Sequence, residues 1–194
     1  MPQAAVPAPL ALPMQELLAR LLGELRQRPI KQILLVGVTR GVGTSFVARH
    51  WVPQLVPAFG NVLLIEVLPD TGDDDDLATE APAALAERSP VVAIKMSQDR
   101  CVGLAVGGAG KMPPDWLSSF GLIVWDVPPL TTAPVALVLA REMDAIVLVA
   151  QSHRTRRQVA LHTAQRLQEC GGRLLGVVLN HAPNFIPAWI YRLL

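Results

Sequence analysis

Six short apolar runs alternate along the sequence with stretches of helical character, and this alternation constrains the fold most strongly. Each run is too short for a helix and reads as a strand buried on both faces. The runs span 33–36, 62–65, 102–106, 122–125, 146–149 and 174–179, and the intervening helices are predicted at 45–55, 81–88, 132–141 and 155–170. The pattern predicts a single α/β domain built on a doubly wound, mostly parallel sheet.

The two ends of the chain differ from this alternating region. Residues 1–13 are rich in proline and alanine without periodicity and predict an extended arm, whereas leucines at helical spacing predict an amphipathic helix over 14–26. The α/β domain is expected to span 14–183. The apolar tail 184–194 is expected either to pack on the domain or to anchor the chain to a partner or membrane surface.

Composition excludes several classes of protein. The chain carries 17 basic and 16 acidic side chains, so it lacks the basic excess of a general nucleic-acid binder, and no nucleic-acid partner is expected. With 51% apolar residues, it has ample material for a core. No apolar run reaches the ~18 residues of a membrane span, so a soluble cytoplasmic protein is expected. The acidic run 70–76 is either a solvated loop or a site for a cation or basic partner.

A glycine-rich segment between the first strand and the next helix is the strongest functional signal. Gly37, Gly41 and Gly43 lie in KQILLVGVTRGVGTSFVARHW, and the helix is predicted to begin near Ser45. This order points backbone N–H groups and a helix N-terminus at an anion, so it predicts a phosphate-binding loop. A tight turn that binds nothing is the alternative.

The loop departs from the usual phosphate-binding sequence at its end. That sequence closes with Gly-Lys-Ser/Thr, where the lysine reaches the β and γ phosphates and the hydroxyl holds magnesium. Here Ser45 keeps the hydroxyl, but the neutral Thr44 replaces the lysine. A hydrogen bond to a charged group contributes roughly 1.5–3 kcal/mol, and more where charge develops in a transition state. Catalysis is therefore expected to suffer more than folding, unless Arg40 within the loop supplies the missing charge.

Several ordered segments carry a resemblance to a known family. They are GVTRGVGTSF, NVLLIEVLPD, FGLIVWDVPPL and MDAIVLVAQSHRTRR followed by LLGVVLN. They resemble the cytoplasmic domain of the bacterial tyrosine autokinases (BY-kinases) that accompany capsule and exopolysaccharide export, which are related to the MinD/ParA group of deviant P-loop ATPases. The resemblance covers most of 14–183. It implies a P-loop NTPase fold, with ATP or ADP and magnesium as candidate ligands.

The resemblance also identifies the family positions that are altered. The family's second strand typically ends Asp-x-Asp, and here Glu66 and Leu68 stand at those positions, while Val127 replaces a hydroxyl residue before two prolines. Asp126 and Ser45 are retained. Together they could still hold magnesium, which is often bound by one or two protein oxygens plus phosphates and water.

Two further residues follow from the resemblance. Asn180 matches the family's adenine-contacting asparagine, with an exposed turn residue as the alternative. Tyr191 is the one tyrosine of the sequence, so autophosphorylation on a tyrosine cluster is not expected. No catalytic residue is assigned, and the degenerate nucleotide site is expected to comprise Gly37, Arg40, Gly41, Gly43, Thr44, Ser45, Glu66, Asp126 and Asn180.

The expected function follows from a fold that is retained and from catalytic positions that are altered. The chain is interpreted as a noncatalytic pseudokinase that regulates or scaffolds exopolysaccharide or capsule synthesis and export. The resemblance implies a membrane chain-length-determinant protein as partner, assembly with copies of itself through the helix over 14–28, and association with the inner face of the membrane through that partner. The alternatives are an active ATPase or tyrosine kinase with a compensated loop, and a positioning protein of the MinD/ParA type.

Overall fold

The computed structural model describes residues 8–68, 85–106 and 119–180, and its centre is a six-stranded sheet. The strands are β1 (Gln32–Gly37), β2 (Val62–Leu68), β3 (Val91–Ser97), β4 (Leu122–Val127), β5 (Ala145–Gln151) and β6 (Leu174–Asn180). Every neighbouring pair is parallel, in the order β3-β2-β4-β1-β5-β6. The predicted doubly wound fold is confirmed, since β1 lies inside the sheet with β2 and β3 on one side of it and β5 and β6 on the other, while β4 returns to lie between β2 and β1.

Five helices of the described residues cover the two faces of this sheet. They are α1 (Ala8–Leu25), α2 (Thr44–Phe59), α3 (Gln98–Val106), α4 (Val135–Ala140) and α5 (Arg157–Glu169). Helices α1 and α2 pack on one face, and α3, α4 and α5 pack on the other. None of these five helices combines the length and the hydropathy that a bilayer crossing requires.

The two faces of the sheet belong to two clusters of buried residues. Along β1, Ile33 and Leu35 face the cluster with α1 and α2, whereas Leu34 and Val36 face the cluster with α3, α4 and α5. All four side chains are fully buried, as is typical of strands covered on both faces. The predicted strands at 33–36, 62–65, 122–125, 146–149 and 174–179 are confirmed.

One predicted strand is wrong, and one observed strand is absent from the sequence prediction. The run 102–106 belongs to helix α3, because a short apolar run cannot be distinguished from a buried helix segment by periodicity alone. The strand of this region is β3 at the edge of the sheet, where alternate apolar residues are buried and Ala93 and Lys95 are exposed. The exposed lysine interrupts the apolar run and conceals the strand in the sequence.

The ends of other predicted elements also shift. Helix α1 begins at Ala8, so residues 8–13 are helical and are not part of an extended arm. Alanine and leucine, which are strong helix formers, supply four of these six residues. Helix α4 spans only part of the predicted 132–141. The acidic run 70–76, half of the predicted helix over 81–88, and the tail 184–194 with Tyr191 lie outside the described residues.

Helix α1 is fixed to the sheet by its apolar face and by a charged side chain near its C-terminal end. Met14, Leu17 and Leu21 are buried. Glu24 accepts a hydrogen bond of 2.5 Å from Arg173, which ties the helix to the residue before β6. The apolar face of α1 is therefore used within the chain, and the assembly that the resemblance implies for this helix is left to its exposed side.

Candidate functional site

The glycine-rich segment forms a tight loop between β1 and α2. Gly41 and Gly43 have φ angles of 78° and 84°, in the left-handed region that disfavours residues with a side chain. Gly43 precedes α2 directly, and no acidic residue lies in the first turn of that helix. The N–H groups of a helix N-terminus carry partial positive charge, so the loop and the helix together present donors to an anion.

Thr44 turns its side chain back into this loop. A Cβ atom on Gly37 would lie only 2.6 Å from Thr44 Oγ1 and 2.9 Å from Val42 Cγ2, so the hydroxyl packs against the backbone of Gly37. Position 37 therefore needs glycine because of this close approach. Where the lysine of the usual loop would extend over an anion, Thr44 leaves a short neutral group inside the loop.

A cavity of about 430 Å³ opens beside the loop, at the carboxyl ends of β2 and β4. Ligands of open α/β sheets bind in this position, outside the carboxyl ends of the strands. The cavity is lined by the loop with the first turn of α2, by the ends of the two strands, and by the segment after β4. Of the predicted site residues, it brings together Arg40, Gly41, Gly43, Thr44, Ser45 and Asp126.

Arg40 is exposed and lines this cavity from the loop side. Its guanidinium group stays protonated at physiological pH and carries five N–H donors. The position of Arg40 is therefore compatible with the hypothesis that this residue supplies part of the charge that Thr44 lacks.

Asp126 is the buried carboxylate of the site. It is 5% exposed, and its carboxylate accepts a hydrogen bond from the Ser45 hydroxyl in the first turn of α2. Burial raises the pKa of Asp126 to about 6; the Ser45 hydroxyl lowers it, nearby Glu66 raises it, and the positive charge of Arg49 lowers it. Loss of water disfavours the charged form, and one hydroxyl donor offsets only part of that cost.

Glu66 lies beside Asp126 in the sheet, but a different partner holds it. The two are register partners on β2 and β4. Arg49, one helical turn after Ser45, donates to both carboxylate oxygens of Glu66, with an Nε–Oε1 distance of 2.7 Å and an Nη2–Oε2 distance of 3.0 Å. This bidentate ion pair neutralises Glu66, which is not among the residues that line the cavity.

Arg49 is a functional candidate that the sequence prediction missed. Its position four residues after Ser45 places both residues on one face of α2, and that spacing is the signal that could have identified it. Its partner Glu66 belongs to another element, 17 positions away, and sequence spacing does not reveal such a contact. The hydrogen bonds and the charge of Glu66 raise the pKa of Arg49.

Asn180 holds the glycine loop from the last strand of the sheet. It is 2% exposed, and its Nδ2 donates to the carbonyl oxygen of Val42 at 2.8 Å. The alternative of an exposed turn residue is therefore wrong, because the side chain is buried and bonded to the loop. The predicted adenine contact stays a prediction, while the observed bond makes Asn180 a residue that positions the loop.

Ser45 and Asp126 supply the oxygen donors that magnesium prefers. Within residues 8–68, 85–106 and 119–180, no three His, Cys, Asp or Glu side chains form a group that could hold a metal ion. Two protein oxygens nevertheless fit the ion of a magnesium–nucleotide complex, in which phosphates and water complete the coordination. Glu66 is not available as a further ligand while Arg49 holds both of its oxygens.

The similarity of this chain to known sequences is limited in length. No family model matches the chain. Tyrosine-protein kinase CpsD of Streptococcus agalactiae is 30% identical to it over 70 residues. That segment is 36% of this chain and 30% of CpsD, so the similarity spans less than a third of that relative.

Solved structures extend the similarity over most of the chain. The kinase domain of VpsO matches with a TM-score of 0.65 at 18% identity, covering 89% of this chain and 97% of that one. The kinase domain of the Escherichia coli tyrosine kinase ETK gives a TM-score of 0.63 at 17% identity, covering 92% of this chain and 82% of that one. A nucleotide-binding protein of Archaeoglobus fulgidus in complex with ADP gives 0.51 at 14% identity, covering 90% and 74%.

The sheet order, the glycine loop and these comparisons define the chain as a protein of the P-loop NTPase-like fold class. More particularly, its fold is the one seen in the kinase domains of bacterial tyrosine kinases.

Proposed function

We propose that this chain is a BY-kinase-like protein that binds a nucleotide without transferring its phosphoryl group. It acts as a regulatory or scaffold subunit in the synthesis and export of a bacterial capsule or exopolysaccharide. The fold, the segment similar to CpsD and the ordered family segments support this proposal. The fold is then kept for its surfaces and for the conformation that a bound nucleotide stabilises.

The observation that carries the proposal is the position of Thr44. Its hydroxyl lies against Gly37 inside the loop, whereas phosphoryl transfer needs a cation over the β and γ phosphates. Removal of one preorganised donor from a developing negative charge typically lowers the rate by roughly 100-fold to 1000-fold. The ion pair of Glu66 with Arg49 removes a second group from the reaction, because a carboxylate held at both oxygens is a poor metal ligand or base.

Binding of the nucleotide needs less than its turnover. Backbone N–H groups of the loop and of the α2 N-terminus hold phosphate oxygens whatever side chain stands at position 44. Arg40 adds positive charge on the same wall of the cavity. When magnesium accompanies the nucleotide, Ser45 and Asp126 are its protein ligands, and the ion neutralises phosphate charge.

The proposed partners are a membrane chain-length-determinant protein and further copies of this chain. Helix α5 offers a surface for such contacts, since Arg157 and Arg166 are exposed on it and Arg156 is exposed directly before it. Arginine is enriched in protein interfaces, and these side chains lie outside the core. The partner protein would bring the chain to the inner face of the membrane.

Thermal unfolding with and without ligand tests the binding half of the proposal. A ligand at 100 times its dissociation constant should stabilise the folded chain by about 2.7 kcal/mol. Mg-ADP and Mg-ATP are both expected to raise the unfolding temperature, with sodium chloride at matched ionic strength as the control. An unchanged unfolding temperature at millimolar nucleotide would contradict nucleotide binding.

A phosphate-release assay tests the chemical half. The natural chain is expected to release phosphate from Mg-ATP at the background rate. Thr44→Lys, which restores the ammonium group, should raise the rate by roughly tenfold or more, while the neutral Thr44→Ser should not. Turnover by the natural chain at the rate of an intact P-loop enzyme would refute the pseudoenzyme interpretation.

A second candidate function is an active ATPase or tyrosine kinase in which Arg40 replaces the lysine. The presence of Arg40 on the cavity wall favours it. In that case the natural chain turns over ATP, and Arg40→Ala abolishes the activity while the exposed Arg166→Ala on α5 leaves it intact. Background rates in all three proteins would eliminate this candidate.

A further inference from the structure

Phe46 is an exposed aromatic side chain on the wall of the cavity. It is the third residue of α2, directly after Ser45, and 42% of it remains open to solvent. The other large apolar side chains exposed within the described ranges are aliphatic, and none of them lines this cavity: Leu22, Leu161, Val177 and Leu179. The structure therefore places one open π face where a ligand held by the glycine loop would lie.

The ring of Phe46 is supported from the next turn of the helix. The imidazole of His50 lies against it, with ring centroids 4.2 Å apart and a 43° angle between the planes. His50 Nδ1 donates to the carbonyl oxygen of Phe46 at 2.8 Å, which fixes the orientation of the imidazole. The pair forms a supported aromatic surface, because the second ring limits the rotation of the first.

The geometry of a nucleotide relates this surface to the glycine loop. The loop and the N-terminus of α2 attract negative charge. The phosphates of a bound nucleotide are therefore expected to lie toward Gly41, Gly43 and Thr44. The base is the uncharged end of the same molecule, and it needs a partner with an apolar face. Aromatic side chains provide such a face by stacking, and they do so for any base because every base has a π system.

We propose that Phe46, supported by His50, stacks against the base of the nucleotide and distinguishes nucleotides from inorganic phosphates at this site. This inference rests on the proposed function, in which the cavity holds a nucleotide. The stacking surface carries no hydrogen-bonding groups at its open face, so it selects for an aromatic base without selecting which one. The loss of affinity on removing the ring is therefore expected to be similar for ADP and GDP.

Titration calorimetry with three ligands tests the proposal on the full chain: ADP, GDP and inorganic pyrophosphate. Phe46→Ala is expected to weaken both nucleotides by roughly fivefold to 100-fold and to leave the pyrophosphate affinity unchanged. Phe46→Trp keeps an aromatic face and should retain nucleotide affinity. Phe46→Leu keeps apolar volume without the π face and should behave like the alanine variant. Leu161→Ala, on helix α5, is the matched control for loss of an exposed apolar side chain.

Each result decides between defined interpretations. An ADP affinity that is unchanged in Phe46→Ala overturns the stacking proposal, and so does an equal loss for ADP and pyrophosphate, which would mean that the ring only shapes the loop. A natural chain that binds pyrophosphate as tightly as ADP also overturns it, while the loop remains an anion site. A natural chain that binds none of the three ligands overturns the proposed nucleotide binding itself.

Discussion

Asp144 and Asp126 lie at opposite ends of the sheet, and they differ in what surrounds their carboxylates. Asp144, just before β5, accepts backbone N–H bonds from Lys31 at 2.7 Å and Gln32 at 2.9 Å. Asp126, near the end of β4, has the Ser45 hydroxyl as its donor and a second carboxylate beside it. Two backbone N–H groups hold the carboxylate of Asp144 in place, whereas burial raises the pKa of Asp126.

The two ends of the sheet therefore differ in whether the carboxylate adds to the stability of the fold or lies buried beside a cavity. At the amino end of the sheet, the carboxylate joins β1 to β5 and adds to stability. At the carboxyl end, the chain buries a carboxylate at a cost and leaves a cavity next to it. The carboxyl end therefore has a cavity in the position where open α/β sheets bind ligands, and Thr44 lines it where the usual loop has a lysine.

The largest expected effect is on the pH dependence of stability at Asp126. Its pKa is about 6 in the folded chain against an ordinary value of 3.8, so the folded state holds a proton that the unfolded state releases. Protonation of Asp126 contributes fully to the free energy of unfolding below about pH 4. This contribution, roughly 3 kcal/mol, is lost as the pH rises through 6.

Asp126→Asn removes the titration. Urea denaturation between pH 4 and 7 should therefore show the variant gaining stability relative to the natural chain, and parallel pH profiles would contradict the assignment.

Substitution of Asp144 is expected to have the next largest effect, and this variant should be less stable than the natural chain. Asp144→Ala leaves two backbone N–H groups without their acceptor, so the free energy of unfolding should fall by about 2 kcal/mol at pH 7. Urea denaturation measures the loss, with the exposed Glu87→Gln as control. Pyrophosphate binding by the folded fraction should be unchanged. A weakened pyrophosphate affinity would show that the two ends of the sheet are coupled.

Asn180 connects the sheet to the loop, and its removal should affect both stability and binding. Asn180→Ala breaks the bond to Val42 and should lower stability by about 1 kcal/mol. Amide hydrogen exchange at 41–44 should become faster, and pyrophosphate binding should weaken because the loop is no longer fixed. Gln158→Ala on α5 serves as the control. Exchange rates that match those of the natural chain would refute a positioning role.

The smallest effect on stability is expected for the ion pair of Arg49 with Glu66. Arg49 is 63% exposed, so solvent screens the pair, and Arg49→Ala should cost less than about 1 kcal/mol. The larger consequence is chemical, since the variant frees Glu66 to join Ser45 and Asp126 as an oxygen ligand. ADP binding should then depend more strongly on magnesium than it does in the natural chain. The same magnesium dependence in both proteins would mean that the ion pair does not control access to the metal.

The sequence predicts the fold more completely than the site. Apolar runs such as 33–36 and 146–149 identify buried strands because both faces of those strands are covered. The glycine loop is also predictable, since left-handed angles at Gly41 and Gly43 restrict the residues there. The edge strand β3 escapes prediction because one of its faces is solvated, so its pattern is no longer continuously apolar.

The contacts that define the site depend on residues far apart in the chain. Glu66 is predicted as a site residue, but its ion pair with Arg49 forms only after α2 packs on the sheet. Asn180 meets Val42 across 138 positions. Local spacing contains no information on such pairs, because the packing of whole elements creates them.

The docking of α1 against β6 bears on how the protein is made. Arg173 bonds to Glu24 across 149 positions, so the first helix is synthesised roughly 7–30 s before this neighbour. During that interval the side chains of Met14, Leu17 and Leu21 lack part of their final covering. A nascent chain stalled before residue 174 should therefore be a substrate for chaperones, and completion of the native packing waits for the last strand.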